Sequence, residues 1–219
     1  MTAAARERLQ VRVPLLVMSS GAWLLLFLGD AAVCSMPSMR LTGSMLMFAA
    51  MMMPLLGAPV CHVRDRSLAR RRLRAIALFV GVYAALWIAA GVALLAIADR
   101  VAPLPALVVI AAWQFSPWKQ RCLNRLHAHP KLSAFGLNAD LDVLRFAATH
   151  GLWCIASCAA LMLLPMLLPR GQVVAMAAVT VLLATERLAQ PVSPRWRWRE
   201  PAQAVRTIHA IAMTTLPRA

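Results

Sequence analysis

The hydrophobic residues of this chain form six long apolar stretches, which polar and basic segments separate. A helix needs roughly 20 mostly apolar residues to cross the hydrocarbon of a bilayer, and each stretch approaches that length. The fourth is the least regular, because Pro103, Pro105 and Pro117 interrupt it. The pattern predicts an all-α fold, a polytopic membrane helical bundle of about six transmembrane helices. Their expected positions are residues 14–35, 41–60, 75–98, 101–118, 146–168 and 172–189.

The composition supports a membrane location. The chain has 219 residues, of which 61% are hydrophobic and 14% are charged, whereas soluble domains carry about 25% charged residues. Arg6, Arg8 and Arg12 precede the first stretch, as basic residues do in a secretory signal peptide. The stretch is too long for a signal peptide, however, and lacks a small-residue cleavage site, so we expect it to be retained as a span.

Basic residues are distributed unevenly between the two sides of the predicted bundle. The formal net charge is +15, and every Lys and Arg except Arg40, Arg100 and Arg170 falls on the side of the N-terminus. Because basic loops stay in the cytoplasm, both termini are predicted to be cytoplasmic. The charge therefore indicates contact with the lipid bilayer. No motif typical of nucleic-acid binding is present, so no nucleic-acid partner is expected.

Two regions are expected, a six-helix transmembrane domain at 1–190 and a cytoplasmic interfacial tail at 191–219. Within residues 190–199, Trp and Arg alternate where the last span leaves the bilayer, which predicts an anchor at the interface. Further along, apolar residues recur near one helical face and predict a short amphipathic helix on the cytoplasmic surface. These residues are Val205, Ile208, Ala212 and Leu216.

The fifth stretch carries the most specific chemistry of the chain. His150, Cys154, Cys158 and Met162 recur every four residues, so they share one helical face. All four are possible ligands for a soft metal such as Cu(I). They cover about 18 Å of helix axis, so they predict two sites or a relay rather than one ion. The alternative is that the cysteines act as small packing residues and the histidine as an interfacial polar group.

The second stretch is rich in methionine, whose thioether favours Cu(I) over hard cations. We expect Met51 and Met52 to face the sulfurs of the fifth stretch, although methionine also serves as a flexible packing residue in membrane helices. An outer entry point for the ion is predicted at Cys34, Met36 and Met39.

Two further polar groups stand out. Cys122, His127 and His129 lie on one cytoplasmic segment, but their spacing matches no standard zinc site, and a solvated basic loop is the favoured interpretation. Glu186 lies near the cytoplasmic end of the sixth stretch, where a buried acid needs a partner. Lys119 and Arg145 are the candidate partners, since the neighbouring Arg187 points elsewhere on the helix.

No enzyme motif is recognisable in the chain, which contains no P-loop, nucleophile elbow or dinucleotide fingerprint. We therefore expect a protein without enzymatic activity. The five cysteines are an odd number spread over different compartments, which argues against a disulfide framework. A thiol oxidoreductase that uses Cys154 and Cys158 is a weaker alternative, because their spacing on one helix disfavours a bridge.

Four segments together resemble a known family. They are Ala50-Met-Met-Met-Pro54, Gln114-x-Ser-Pro-x-Lys119-x-x-Cys122-Leu123, Cys154-x-x-x-Cys158-x-x-Leu161-Met162, and Glu186-Arg187. In this order they are similar to the bacterial predicted metal-binding integral membrane proteins (domain of unknown function 2182), some of which are labelled copper chaperones. The resemblance spans about residues 40–190. Members typically have a further cysteine at the position of Ser157 and an aromatic residue at the position of Ala159. They also tend to have a second cysteine shortly after the one that matches Cys122, at the position of Leu126.

The resemblance implies a bacterial inner-membrane, multi-pass protein that binds and hands on copper. With the pattern of residues, it predicts Cys154, Cys158 and Met162 as primary ligands, with Met51 and Met52 opposite them and His150 on the cytoplasmic side. Another membrane or periplasmic metalloprotein is the expected partner. The alternative is a structural or assembly subunit of a larger membrane complex without a metal role. In that case, co-purification with partners would survive the loss of the sulfur residues.

Overall fold

A computed structural model describes residues 3–29, 37–133, 135–168 and 171–196, with side chains described from residue 9 onwards except at 29 and 37–41. It confirms the predicted all-helical fold, since the described residues contain helices and no strand. The helices are α1 (Ala3–Gly29), α2 (Pro37–Met52), α3 (Gly57–Arg66), α4 (Arg72–Ala98), α5 (Pro103–Phe115), α6 (Pro117–Leu126), α7 (Gly136–Leu167) and α8 (Gln172–Leu188).

Four segments of the described chain are long and apolar enough to cross a membrane: Leu9–Leu28, Thr42–Arg66, Ala69–Ala98 and Gly136–Leu167. They indicate a membrane protein. The predicted fourth and sixth spans correspond to shorter helices, since α5 has 13 residues and α8 has 17. At 1.5 Å per residue they are about 20 and 26 Å long, less than the hydrocarbon thickness. Helix length and composition therefore support four of the six predicted spans.

The second span bends between α2 and α3, where Met53–Leu56 forms a 3-10 turn. Pro54 lies in this turn, and proline removes a backbone donor and clashes with the preceding helical turn. A second break separates α5 from α6 at Ser116, whose hydroxyl accepts hydrogen bonds from the backbone N–H groups of Trp118 and Lys119. This N-cap, followed by Pro117, ends the predicted fourth span three residues earlier than expected.

The centre of the bundle is formed by α4 packed against α7. Phe79, Tyr83 and Trp87 are buried along one face of α4, at spacings of four residues that bring them onto one side of the helix. Gly151 lets α7 approach this face closely, because a Cβ atom there would lie 2.7 Å from Leu86 Cδ1. The close approach brings the cysteine-bearing face of α7 against α4.

The polar end of the bundle is held by ion pairs from α7 to the start of α4 and to the residue before it. Arg71 Nη2 lies 2.6 Å from Asp140 Oδ1, and Arg74 Nη2 lies 2.8 Å from Asp140 Oδ2. Helix α7 has 32 residues and is about 48 Å long, so its first turns extend beyond the apolar part. The segment after α8 is held by Asn124 of α6. Its Nδ2 donates to the Val192 carbonyl, and its Oδ1 accepts from the Val192 backbone N–H. The amphipathic helix predicted in the tail lies outside the described residues.

Candidate metal centre

Cys154 and Cys158 lie one turn apart on α7, and both side chains are completely buried. Their spacing brings both sulfurs to the same face of the helix. The cysteine pair lies within the most apolar part of α7, where a polar group must find a partner inside the protein. Each of the two sulfur atoms has a polar contact. The cysteines therefore do more than pack the interface between helices.

Met52 approaches the cysteine pair from the end of α2. Cys154 Sγ and Met52 Sδ are in contact, with 4.0 Å between the two sulfur atoms. Met52 is buried, as is its neighbour Met51, but successive residues on a helix point about 100° apart. The contact with Cys154 therefore belongs to Met52 and not to Met51. Of the two methionines predicted to face α7, the structure brings Met52 to the cysteines.

Tyr83 of α4 provides a second contact to Cys154 Sγ. Its hydroxyl oxygen lies 3.1 Å from Cys154 Sγ, and the side chain is buried. On α7 itself, Ser157 donates to the backbone carbonyl of Cys154 at 2.9 Å and lies 3.4 Å from Cys158 Sγ. The hydroxyl of this serine therefore contacts one of the two sulfurs, that of Cys158.

Arg187 of α8 donates to both cysteines. Its Nη2 lies 2.9 Å from Cys154 Sγ and 3.6 Å from Cys158 Sγ. Because a guanidinium stays protonated in proteins, these contacts place a permanent positive charge beside the two sulfurs. Such a charge favours the thiolate over the thiol, and the thiolate is the form of cysteine that binds metals.

Glu186, the residue before Arg187, belongs to a separate buried cluster. Lys119 Nζ lies 2.7 Å from Glu186 Oε1, and Gln114 hydrogen-bonds both side chains. Of the two partners expected for Glu186, the structure shows Lys119. The pair neutralises its own charges and ties α6 to α8 next to the sulfur centre. All four segments that carry the family resemblance thus meet in one region of the bundle.

Two of the remaining predicted ligands lie on α7, about one turn from the cysteine pair in each direction. Met162 is fully buried on α7, beyond Cys158. His150 is buried before Cys154 and packs among aromatic rings, with centroids 5.6 Å from Phe146 and 6.1 Å from Phe79. The structure thus brings together Cys154, Cys158 and Met52, while His150, Met162 and Met51 line the surrounding core.

A small apolar cavity lies between α2 and α4, next to this centre. Its volume is about 130 Å³. Met45, Met52 and Met53 contribute to its walls, together with Tyr83 and Trp87. Since Met52 and Tyr83 also touch Cys154, the cavity and the sulfur centre share two residues. Thioether groups therefore line a cavity that adjoins the cysteine pair through Met52 and Tyr83.

The segment with Cys122, His127 and His129 forms no comparable site. Cys122 is buried in α6, where burial raises the pKa of its thiol. His129 packs edge-on against His62 with 4.9 Å between ring centroids, and His62 Nε2 hydrogen-bonds the Pro130 carbonyl. In the described ranges, no three His, Cys, Asp or Glu side chains come together to hold a metal ion. The predicted outer entry residues Cys34 and Met36 lie outside the described residues, as does the side chain of Met39.

The donor set suits a soft monovalent ion. Two cysteines and one thioether offer sulfur only, which selects Cu(I) over hard cations such as Mg²⁺ or Ca²⁺. The centre is that of a helical membrane protein with a sulfur site between its spans. Residues 41–211 match the family model PpoB2, described as "Copper chaperone", and the chain belongs to this family. The family resemblance expected from the sequence is thereby confirmed. The comparisons with curated proteins and with solved structures found no match.

Two residues of the centre escaped the sequence analysis. Tyr83 is the only tyrosine of the chain, but its distance of 71 positions from Cys154 gives no spacing to recognise. Arg187 was expected to point away from Glu186, and it does, towards the cysteines. An arginine at the end of an apolar stretch is costly without an anionic partner, and this cost was the signal that could have linked it to the sulfurs.

Proposed function

We propose that the protein binds copper as Cu(I) between Cys154, Cys158 and Met52 and passes it to another protein. The observation that carries the proposal is the convergence of three sulfur atoms from two separate candidate spans. Sulfur atoms that served packing alone would not need polar contacts, whereas these contact the guanidinium of Arg187 and the phenol of Tyr83. The function is binding and transfer, without catalysis.

The transfer role is supported by the shape of the site. Two cysteines and a thioether leave the ion with few ligands, and an incoming thiol or thioether can then add before the first ligands leave. The methionine-lined cavity offers weak ligands next to the strong ones. His150 and Met162 extend the ligand row along α7 in both directions, as a relay requires. The partner would be another membrane or periplasmic metalloprotein.

The setting we propose is the bacterial inner membrane, crossed six times with both termini in the cytoplasm. The asymmetry of the basic residues supports this topology. The shorter helices α5 and α8 would complete the six, with α8 turning Glu186 and Arg187 inwards to partners on α6 and α7. Inward-facing charges with partners are what a short membrane helix needs to be tolerated in lipid.

The test is a metal analysis of the full-length protein purified in lipid nanodiscs after anaerobic loading with Cu(I). The wild type is expected to retain about one copper per chain. The Cys154→Ser/Cys158→Ser double variant is expected to retain none, because hydroxyls are poor ligands for soft ions. A Cys61→Ser variant serves as the matched control and should bind as the wild type. Equal copper in the wild type and the double variant would leave a structural or assembly subunit as the better account.

A further inference from the structure

Arg187 is partly buried, and it differs from the buried Lys119 in its choice of partner. Lys119 is neutralised by Glu186. The hydrogen bonds of the Arg187 side chain, within the part of the chain that the structure describes, go only to Cys154 Sγ and Cys158 Sγ. Its Nε atom is buried and has no hydrogen-bond partner among those residues. The sulfur pair is therefore the hydrogen-bonding partner of this arginine.

The charge of a loaded centre depends on the ion. Two thiolates and one monovalent cation carry a single net negative charge, which the guanidinium of Arg187 balances. Two thiolates and one divalent cation are already neutral, so the guanidinium would then be left without an anionic partner. A buried charge without a partner is strongly unfavourable. The neutral thioether of Met52 does not change this balance.

We propose that Arg187 is a specificity-determining residue that restricts the cysteine pair to monovalent soft cations, the class of Cu(I) and Ag(I), against divalent thiophilic ions. The inference rests on the proposed function, because it assumes that Cys154 and Cys158 are the ligands. It adds to that function a reason why Zn(II) and Cd(II), which also bind thiolates, are disfavoured here.

The position of the guanidinium agrees with this role. One nitrogen, Nη2, contacts both sulfurs, so in this structure the arginine supplies the positive charge between them. A guanidinium has five N–H donors, and the free Nε–H shows that not all of them are engaged. Arg187 can therefore keep a hydrogen bond to a sulfur when a metal ion binds the pair.

The experiment compares Ag(I) and Cd(II) binding to the full-length protein in nanodiscs, each measured by competition titration. The readout is the ratio of the two dissociation constants. Replacing the charge in Arg187→Gln should shift this ratio towards Cd(II) by on the order of tenfold or more. Arg187→Lys keeps the charge and should restore most of the preference for Ag(I). Arg145→Gln removes an exposed charge of the same sign from α7 and should leave the ratio unchanged.

An unchanged ratio in Arg187→Gln would overturn the inference, because a purely structural arginine would alter stability without altering the choice of ion. Arg187→Met provides a second uncharged variant of similar length in case the glutamine variant does not fold, and the same shift is expected of it. The Cys154→Ser/Cys158→Ser variant distinguishes a failure of the proposed function from a failure of the role of Arg187. Retained Ag(I) binding there would refute the proposed function, whereas lost binding with an unchanged ratio in the arginine variants would refute only the role of Arg187.

Discussion

Lys119 Nζ lies 2.7 Å from Glu186 Oε1, and the two side chains are only 1% and 4% exposed. Gln114 hydrogen-bonds both of them, while Glu186 Oε2 has no partner among the described residues. The pair joins α6 to α8 one residue before Arg187. It therefore fixes the rotation of α8 that directs the guanidinium to the cysteines.

Removing one member of this pair should destabilise the protein strongly. Lys119→Met leaves the Glu186 carboxylate buried without its cation, which costs about 3–5 kcal/mol. The double variant Lys119→Met/Glu186→Leu buries no charge and should recover most of the loss. Thermal unfolding of the purified proteins in nanodiscs measures both effects. A double variant as unstable as the sum of the single variants would show that the ion pair is not the interaction lost.

The two methionines at the end of α2 should differ in their effect on copper. Met52→Leu removes the sulfur that touches Cys154 while preserving volume, and we expect the affinity for Cu(I) to fall about 10-fold. Met51→Leu is the matched control, because it changes a buried neighbour that has no described contact with the cysteines. Competition with a chromophoric Cu(I) chelator measures both constants. Equal losses in the two variants would contradict the assignment of Met52 as the third sulfur.

The helical fold was predictable because apolar stretch length is a local property that a window of about 20 residues contains. The face shared by Cys154 and Cys158 was predictable for the same reason, since a four-residue spacing defines it. The choice of Met52 over Met51 was not, because it depends on how α2 is rotated before the turn at Pro54. That rotation is set by packing against α1 and α4, which no local spacing records.

Gly151 should be required for the close packing of α4 and α7. A Cβ atom at this position would lie 2.7 Å from Leu86 Cδ1, and leucine would add three further carbon atoms beyond it. Gly151→Leu is therefore expected to lower stability by about 1–3 kcal/mol through overpacking and to reduce copper retention by displacing Tyr83 from Cys154. Gly81→Leu is the control, since nothing lies within 4 Å of a Cβ atom at that position. Similar unfolding temperatures for the two variants would contradict this account.

Cys122 should react slowly with alkylating reagents. Burial raises the pKa of its thiol, and only the thiolate is nucleophilic. In a variant that keeps Cys122 as its single cysteine, the midpoint of the alkylation rate against pH should lie above that of an ordinary cysteine, and denaturation in detergent should lower it. Mass spectrometry after timed alkylation gives the rates. An identical midpoint before and after denaturation would show that Cys122 is not buried.

The contribution of Arg187 shows where sequence reasoning stops. Its pairing with Cys154 joins residues 33 positions apart, and the pairing of Lys119 with Glu186 joins residues 67 apart. The cost of a buried charge predicted that Glu186 needed a partner, and the structure shows Lys119, one of the two candidates. For Arg187 the partners are cysteine sulfurs rather than a carboxylate, so a search for opposite charges among acidic residues would miss them.

The most direct test is X-ray absorption at the copper edge on the Cu(I)-loaded full-length protein. We predict a first coordination shell of two or three sulfur atoms without nitrogen or oxygen, and the loss of this signal in Cys154→Ser/Cys158→Ser. A shell that contains imidazole nitrogen, or a sulfur shell that persists in the double variant, would contradict copper binding at the cysteine pair of α7.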